Sequence, residues 1–160
     1  MQKHTAFKSQ KCYYNYDKAN NITAAATATI TITGKGSYKG TVTAIFKIKK
    51  AANSFAVKAQ KTAYSITYSK LSKKDQVIKE TQIYNVTKKG QGKLSYSLVS
   101  AKNGNKNVKS SFAVDKKTGK LTIKKRLKKG TYNVELSVTA AGDKNHNKAT
   151  KKIIIPIKVK

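Results

Sequence analysis

Acidic side chains are scarce in this sequence. Only six of the 160 residues are Asp or Glu, against 35 Lys or Arg, so the formal net charge is +29. Acid–base catalysis on glycosides needs two carboxylates that face one substrate, and nothing in the sequence predicts such a pair. The scarcity of acids therefore argues against an enzyme, and against a calcium site built from clustered carboxylates.

Arginine is scarcer still, because Arg126 is the only one. Arginine recognises phosphate or guanine with a planar pair of donors, whereas lysine acts as a hydrated point charge. A surface made almost entirely of lysine suits diffuse attraction to polyanions better than sequence-specific recognition of nucleic acid. The simpler interpretation is that lysine keeps a β-rich protein soluble and protects the edges of its strands.

The sequence also lacks a second cysteine, a long apolar run and a recognisable leader. Cys12 is alone, so an intrachain disulfide is impossible. No stretch approaches the roughly 20 apolar residues that a membrane span needs. The first residues, MQKHTAFKSQK, have no apolar signal-peptide core. If the protein is exported, we expect this chain to be a fragment or its export signal to lie elsewhere.

Alternation of apolar and polar side chains is the strongest pattern that is present. In TYNVELSVTA, residues 131–140, every second residue is apolar, which places the apolar side chains on one face of a β-strand. Ile, Leu, Val and Phe make up only about a fifth of the chain, near the level at which highly charged chains stay disordered. The alternation indicates that the chain is folded rather than disordered. It predicts an antiparallel all-β protein with one solvated face per sheet.

The pattern divides the chain into two units, 1–50 and 51–160. Residues 1–21 show no clear period. A β-hairpin follows, in which Ile30 and Ile32 alternate with threonines before the connection GKGSYKG. Its return strand has an apolar face made of Val42, Ala44, Phe46 and Ile48. Because a lone hairpin is marginal in water, we expect only the second unit to fold by itself.

The second unit has about seven short strands with turns every 8–12 residues, which fits a β-sandwich. Asp115 and Gly119 predict a tight turn in DKKTGK, and Pro156 predicts a sheet edge or bulge because it has no N–H. The segment LSKKDQ is predicted to be a turn rather than a helix. The positions predicted to be buried are Leu94, Tyr96, Leu98, Tyr132, Val134, Leu136, Val138, Ile153, Ile155 and Ile157.

These segments resemble immunoglobulin-like or cadherin-like repeats. TITITGKGSYKGTVTAIFKI resembles the closing hairpin of lysine-rich repeats from surface proteins of Gram-positive gut bacteria, and GQGKLSYSLVS, FAVDKKTGKLTIKKRLKKGTYNVELSVTAAGDKNH and IIIPIKVK resemble a complete repeat. The resemblance implies an Ig-like β-sandwich over residues 51–160, preceded by a partial repeat in residues 1–50. In such proteins these repeats act as stalks, spacers and adhesive modules.

Candidate catalytic and metal-binding residues are few. Cys12 and His4 lie near the N-terminus, far in sequence from His146, so a nucleophilic Cys–His pair is not predicted. In the loop GDKNHN, Asp143 alternates with asparagines, but an Asx-rich turn explains this spacing better than a calcium site. No catalytic residue, metal ligand or cofactor site is therefore predicted.

One basic cluster lies where a strand is predicted to enter a turn, and it would project most of its charge outward. It is the candidate polyanion-binding site, and it consists of Lys124, Lys125, Arg126, Lys128 and Lys129. Phosphates or carboxylates of teichoic acid, acidic glycans or nucleic acid are the groups it would contact. The competing interpretation is a solvated corner with no ligand.

Together these observations favour a non-enzymatic module at the bacterial cell surface or wall that spaces or anchors other domains. Its expected partners are an anionic wall polymer or a host glycan, and neighbouring Ig-like repeats. Two alternatives remain open. One is an intracellular protein that binds polyanions or nucleic acid without sequence preference. The other is an accessory domain of a cell-wall hydrolase.

Overall fold

The computed structural model describes residues 13–16, 27–34, 37, 39–60 and 62–160. The chain divides into two compact units, residues 1–51 and 52–160. His4 and Cys12, which were considered as catalytic candidates, lie outside the described residues. The described elements are thirteen β-strands, one short α-helix and two short 3₁₀ helices, so the chain is all-β as predicted.

The first unit contains an antiparallel sheet with the strand order β1-β2-β3. Strands β2 (Thr27–Thr33) and β3 (Thr41–Lys47) form the predicted hairpin. Strand β1 (Tyr13–Tyr16) was not predicted, and it pairs with β2. Its tyrosines favour β-structure, but four residues are too few for a period of two to stand out.

The hairpin of the first unit keeps most of its apolar residues on one face but buries few of them. Its register pairs Ile32 with Val42 and Ala28 with Phe46, so these residues share a face as the alternation predicts. Ala28 is buried, yet Val42 is 68% exposed and Phe46 is 44% exposed. The described part of this unit therefore carries little core of its own.

The second unit contains ten strands in three sheets. The order in the largest sheet is β5-β13-β12-β8-β9, a second sheet has the order β10-β11-β6, and β4 pairs with β7. The strands are β4 (Ala56–Ala59), β5 (Tyr64–Ile66), β6 (Gln76–Ile78), β7 (Tyr84–Lys88), β8 (Leu94–Asn103), β9 (Lys106–Asn107), β10 (Phe112–Val114), β11 (Leu121–Ile123), β12 (Gly130–Ala140) and β13 (Ala149–Val159). One hydrophobic cluster joins side chains from all three sheets, which makes the unit an Ig-like β-sandwich.

The core follows the alternation except in β8. Among the positions predicted to be buried, only Leu94 and Leu98 are half-buried, and the others are buried. Leu94 begins β8. Beyond Leu98 the register against β12 shifts, so that Leu136 pairs with Leu98 but Glu135 pairs with Ser100. This bulge reverses the phase of the strand, and Ala101 rather than Ser100 is buried.

The turn predicted for LSKKDQ is wrong, because helix α1 (Tyr68–Lys73) occupies its first part. Leu71 is the only buried residue of α1, so tertiary contact rather than an amphipathic period holds this helix. The following stretch VIKETQIYNV is two short strands, β6 and β7, separated by a 3₁₀ helix at Glu80–Gln82. A second 3₁₀ helix, Lys109–Ser111, precedes β10.

Two predictions, one about a turn and one about a strand edge, are confirmed. Gly119 has φ +73°, and the Asp115 Oδ1 accepts hydrogen bonds from the N–H groups of Lys117 and Thr118, which closes the turn between β10 and β11. Pro156 lies in β13 where only β12 pairs with it, because the pairing of β13 with β5 begins at Ile157. The strand edge is therefore open at the residue that cannot donate a hydrogen bond.

Leu136→Ala should lower the free energy of unfolding by about 2–5 kcal/mol, because it leaves a cavity at a fully buried site. Urea unfolding followed by far-ultraviolet circular dichroism measures the change. Ser137→Ala, on the opposite face of β12, is the control and should change stability by less than about 0.5 kcal/mol. Equal effects of the two changes would contradict the core described above.

Gly119→Ala should destabilise the protein by at least about 1 kcal/mol, because Gly119 has a positive φ and an added Cβ would collide with the Tyr84 hydroxyl. Tyr84→Phe removes that hydroxyl. In a double-mutant cycle, Gly119→Ala should therefore be less destabilising in the Tyr84→Phe background. Additive effects would show that the Tyr84 hydroxyl does not contribute to the loss.

The loss of protein stability at acidic pH should depend on Asp115. Hydrogen bonds from Thr118 and Lys117 lower the pKa of Asp115 below its ordinary value of 3.8. Because the pKa of Asp115 is lower in the folded than in the unfolded protein, the ionised carboxylate stabilises the fold. This stabilisation is complete above the pKa of Asp115 in the unfolded chain and is lost as the pH falls through its pKa in the folded protein. Asp115→Asn should therefore narrow the difference in melting temperature between pH 6 and pH 2. An unchanged difference would contradict this role.

Candidate functional site

The predicted basic cluster forms a corner between β11 and β12, whose backbone is fixed by hydrogen bonds from other elements. The Lys124 N–H donates to the Ser111 carbonyl at 2.9 Å, and the Arg126 N–H donates to the Leu71 carbonyl at 2.9 Å. The Lys125 N–H donates to Asp75 Oδ1 at 2.8 Å. These three bonds hold the backbone of the corner while its basic side chains remain exposed.

Arg126 has an unusual backbone conformation. Its φ is +66°, and no other non-glycine residue in the described part of the chain has a positive φ. Such a conformation is unfavourable by about 1–2 kcal/mol for an L-residue. The next side chain, Leu127, is buried. The strained turn thus places Leu127 in the core and leaves the guanidinium of Arg126 on the surface.

A tyrosine at the start of β12 completes the corner. The Tyr132 hydroxyl donates to the Lys128 carbonyl at 2.6 Å, and its ring packs against Phe112 with 5.9 Å between centroids. A tyrosine whose hydroxyl returns to the backbone a few residues upstream is a recurrent feature of Ig-like sandwiches. The sequence analysis placed Tyr132 in the core but missed this hydrogen bond.

An open groove of about 330 Å³ lies beside the corner. Four of the five predicted residues line it, namely Lys125, Arg126, Lys128 and Lys129, whereas Lys124 is exposed outside its lining. The other residues of the lining come from the β8–β9 hairpin, the adjoining 3₁₀ helix and the core, and they are Asn103, Lys106, Val108, Ser111, Leu127 and Tyr132. We call this site the basic groove.

The sequence analysis missed the contribution of the β8–β9 hairpin to the basic groove. Its signal was the Asn-Gly pair in AKNGNKN, which predicted a tight turn. In the structure Gly104 has φ +55° and Lys102 pairs with Asn107. The turn returns the chain so that Lys106 faces the same groove as the corner, although these residues are about twenty positions apart in sequence.

The charges of the basic groove determine its chemistry. Among the described residues, five cationic side chains from two segments meet there and no carboxylate is part of the lining. Asn103 and Ser111 add uncharged hydrogen-bonding groups. Such a surface can attract and hydrogen-bond phosphate, sulfate or carboxylate groups.

The acids of the described chain lie apart from one another. Asp75 bonds to the corner backbone, and Glu135 accepts from Ser100 Oγ at 3.2 Å and lies 3.5 Å from Lys152 Nζ. One Glu80 carboxylate oxygen is buried without a hydrogen bond. Glu80 also contributes to raising the pKa of Tyr84, behind burial and Tyr96. Among the described residues, no three His, Cys, Asp or Glu side chains are grouped so that they could hold a metal ion.

The Asp143 loop forms the predicted Asx-type turn. Asp143 Oδ1 accepts the N–H groups of Asn145 and His146 at 2.8 Å each, and it lies 2.8 Å from His146 Nδ1. The bond with the His146 side chain is the largest of the contributions that lower the pKa of Asp143. This carboxylate oxygen therefore organises the loop between β12 and β13.

Comparisons with known proteins give matches only among solved structures. No protein-family model and no curated protein matches the sequence. The structure is similar to the extracellular cadherin domains 3–6 of protocadherin gamma B2 (12% identity, TM-score 0.49, 83% of this chain and 32% of that one). It is also similar to the protocadherin gamma B4 extracellular domain (12%, 0.47, 90% and 23%). A third match is mouse clustered PcdhgC3 EC1–3 (17%, 0.42, 95% and 53%).

The chain spans between about a quarter and a half of the protocadherin chains it matches. At these identities and TM-scores the matches identify neither a family nor a ligand. The described residues contain no helix with the length and apolar character of a membrane span. The basic groove is therefore the structural feature that bears most directly on function.

Proposed function

We propose that this chain is a non-enzymatic, extracellular adhesion-type module whose basic groove binds anionic polymers. The observation that carries the proposal is the meeting of five cationic side chains in one concave site without a carboxylate in its lining. Lys106 arrives from the β8–β9 hairpin, and the other four belong to the corner. Folding thus brings together cationic side chains that are separated in the sequence.

Binding would be driven by counterion release. A polyanion carries condensed counterions, and each cation of the protein that neutralises a phosphate releases them. Because the backbone of the corner is held by Ser111, Asp75 and Leu71, its charges are presented without a prior folding step. Lysine gives no bidentate base contact, so we expect affinity without sequence preference.

The proposed setting is a surface protein of a Gram-positive bacterium, in which the first unit is a partial Ig-like repeat and the second a complete one. This proposal rests on the resemblance of the turn and strand motifs to lysine-rich surface repeats. The corresponding partners are an anionic wall polymer or host glycan, together with neighbouring repeats. The module would space or anchor other domains while its lysines contact the polymer.

A plain spacer is the second candidate function. Strands β12 and β13 pair over eleven consecutive residues from Gly130 to Ala140, which makes an unbroken ladder along the sandwich. Such a ladder suits a stiff structural unit whether or not a ligand is bound. In that case lysine would serve solubility and edge protection alone.

The five cations of the basic groove should account for most of the polyanion affinity of the second unit. The groove variant replaces Lys106, Lys125, Arg126, Lys128 and Lys129 with Gln. A matched control variant replaces five exposed lysines outside the groove with Gln: Lys88, Lys89, Lys116, Lys117 and Lys120. Both lose the same charge, so a difference between them reports position rather than net charge.

The measurement is the salt dependence of binding of the full chain to poly(glycerol phosphate) and to duplex DNA of two unrelated sequences. In a plot of log affinity against log salt concentration, the groove variant should have a slope smaller in magnitude by up to about 4. The control should have a slope smaller by about 1. Melting temperatures should stay close to the parent because the replaced side chains are exposed. Equal losses in both variants would contradict the groove, and a strong preference for one DNA sequence would favour the nucleic-acid alternative.

A further inference from the structure

A second basic pocket lies against α1. It has a volume of about 400 Å³ and is lined by Ser69, Lys70, Lys73, Lys74 and Gln76. The Gln76 Nε2 donates to the carbonyls of Lys70 and Lys74 at 3.3 Å each. These bonds close the end of the helix with the side chain of Gln76, so the three lysine side chains are not used to cap it. We call this site the helix pocket.

The helix pocket adjoins the corner that forms the basic groove. Arg126 donates its N–H to the carbonyl of Leu71, which is the residue after Lys70. Lys125 donates its N–H to Asp75, which lies between Lys74 and Gln76. These two bonds connect the segment that lines the helix pocket to the segment that lines the basic groove, so the two lining segments meet at one junction.

The charge across this junction is strongly unbalanced. The helix pocket contributes three lysines and the basic groove five cations. Asp75 is the acid at the junction, and its Oδ1 accepts the Lys125 N–H. Eight cations against one acid exceed what a single small anion can neutralise, but they match an extended chain in which anionic groups recur.

We propose that the helix pocket and the basic groove form one basic track, which binds a single extended linear polyanion across the junction of α1 with the corner. This inference rests on the proposed function and extends it to residues outside the predicted cluster, namely Lys70, Lys73 and Lys74. The ligand class is a flexible polymer with phosphate groups along its backbone. Both pockets are lined by basic side chains, and a flexible chain can bend to contact the two in turn.

The test compares a short and a long form of the same anion. Tripolyphosphate carries too few charges to cover both pockets, and long-chain inorganic polyphosphate can cross the junction. The track variant replaces Lys70, Lys73 and Lys74 with Gln, and its control replaces Lys116, Lys117 and Lys120, which are exposed in the turn at the other end of β11. Calorimetric titration of the full chain at several salt concentrations gives the affinities.

The track variant should bind long polyphosphate about tenfold or more weakly at low salt, with a salt slope reduced by about 2, because three phosphate contacts are lost. Its affinity for tripolyphosphate should remain that of the parent, and the control should retain both affinities. Equal losses of long polyphosphate binding in the track variant and the control would overturn the inference.

The groove variant separates this inference from the function on which it depends. If the groove variant loses both ligands while the track variant loses neither, the groove binds anions but the track does not exist. If the groove variant and its five-lysine control behave alike, the proposed function itself fails. Binding of long polyphosphate that is no tighter than that of tripolyphosphate would also overturn the track.

Discussion

Burial of the inward face of β12 is the constraint on which the rest of the second unit depends. The strand lies between β13 and β8 in the largest sheet, and Val134, Leu136 and Val138 are fully buried. A slip of one residue would turn this whole face to solvent. Tyr132 fixes the beginning of the strand through its bond to the Lys128 carbonyl, so the packing of β12 also sets the shape of the basic corner.

The charge of the protein makes apolar burial more important. With a net charge of +29, lysines repel one another in the folded state. The ion pair of Lys152 with Glu135 and the hydrogen-bonded pair of His146 with Asp143 are solvent-accessible and contribute little. No charged residue among the described ones is buried as a whole, although one carboxylate oxygen of Glu80 is. Folding therefore depends on the core, and the cations of the basic groove are not needed inside it.

The sequence was informative where one period governed a long segment. Alternation in residues 131–140 and the asparagine–glycine turn were enough for the all-β class and most of the core. It was less informative where tertiary contact decides, as in α1, whose one buried side chain is Leu71, and at Leu98, where a bulge reverses the phase. The cluster at 124–129 was recognisable as a run of charge. The contribution of Lys106 was not, because only hairpin folding brings it to that groove.

The corner combines a backbone held by hydrogen bonds with exposed basic side chains, and this combination limits what it can recognise. Hydrogen bonds hold the N–H groups of Lys124, Lys125 and Arg126, so those donors are not available to a ligand as a preformed nest. Recognition then falls to lysine side chains, which lose rotamer freedom for each contact they form. The groove is therefore built for many weak, salt-dependent contacts along a polymer, and a small anion that needs a few well-placed donors would find no rigid site there.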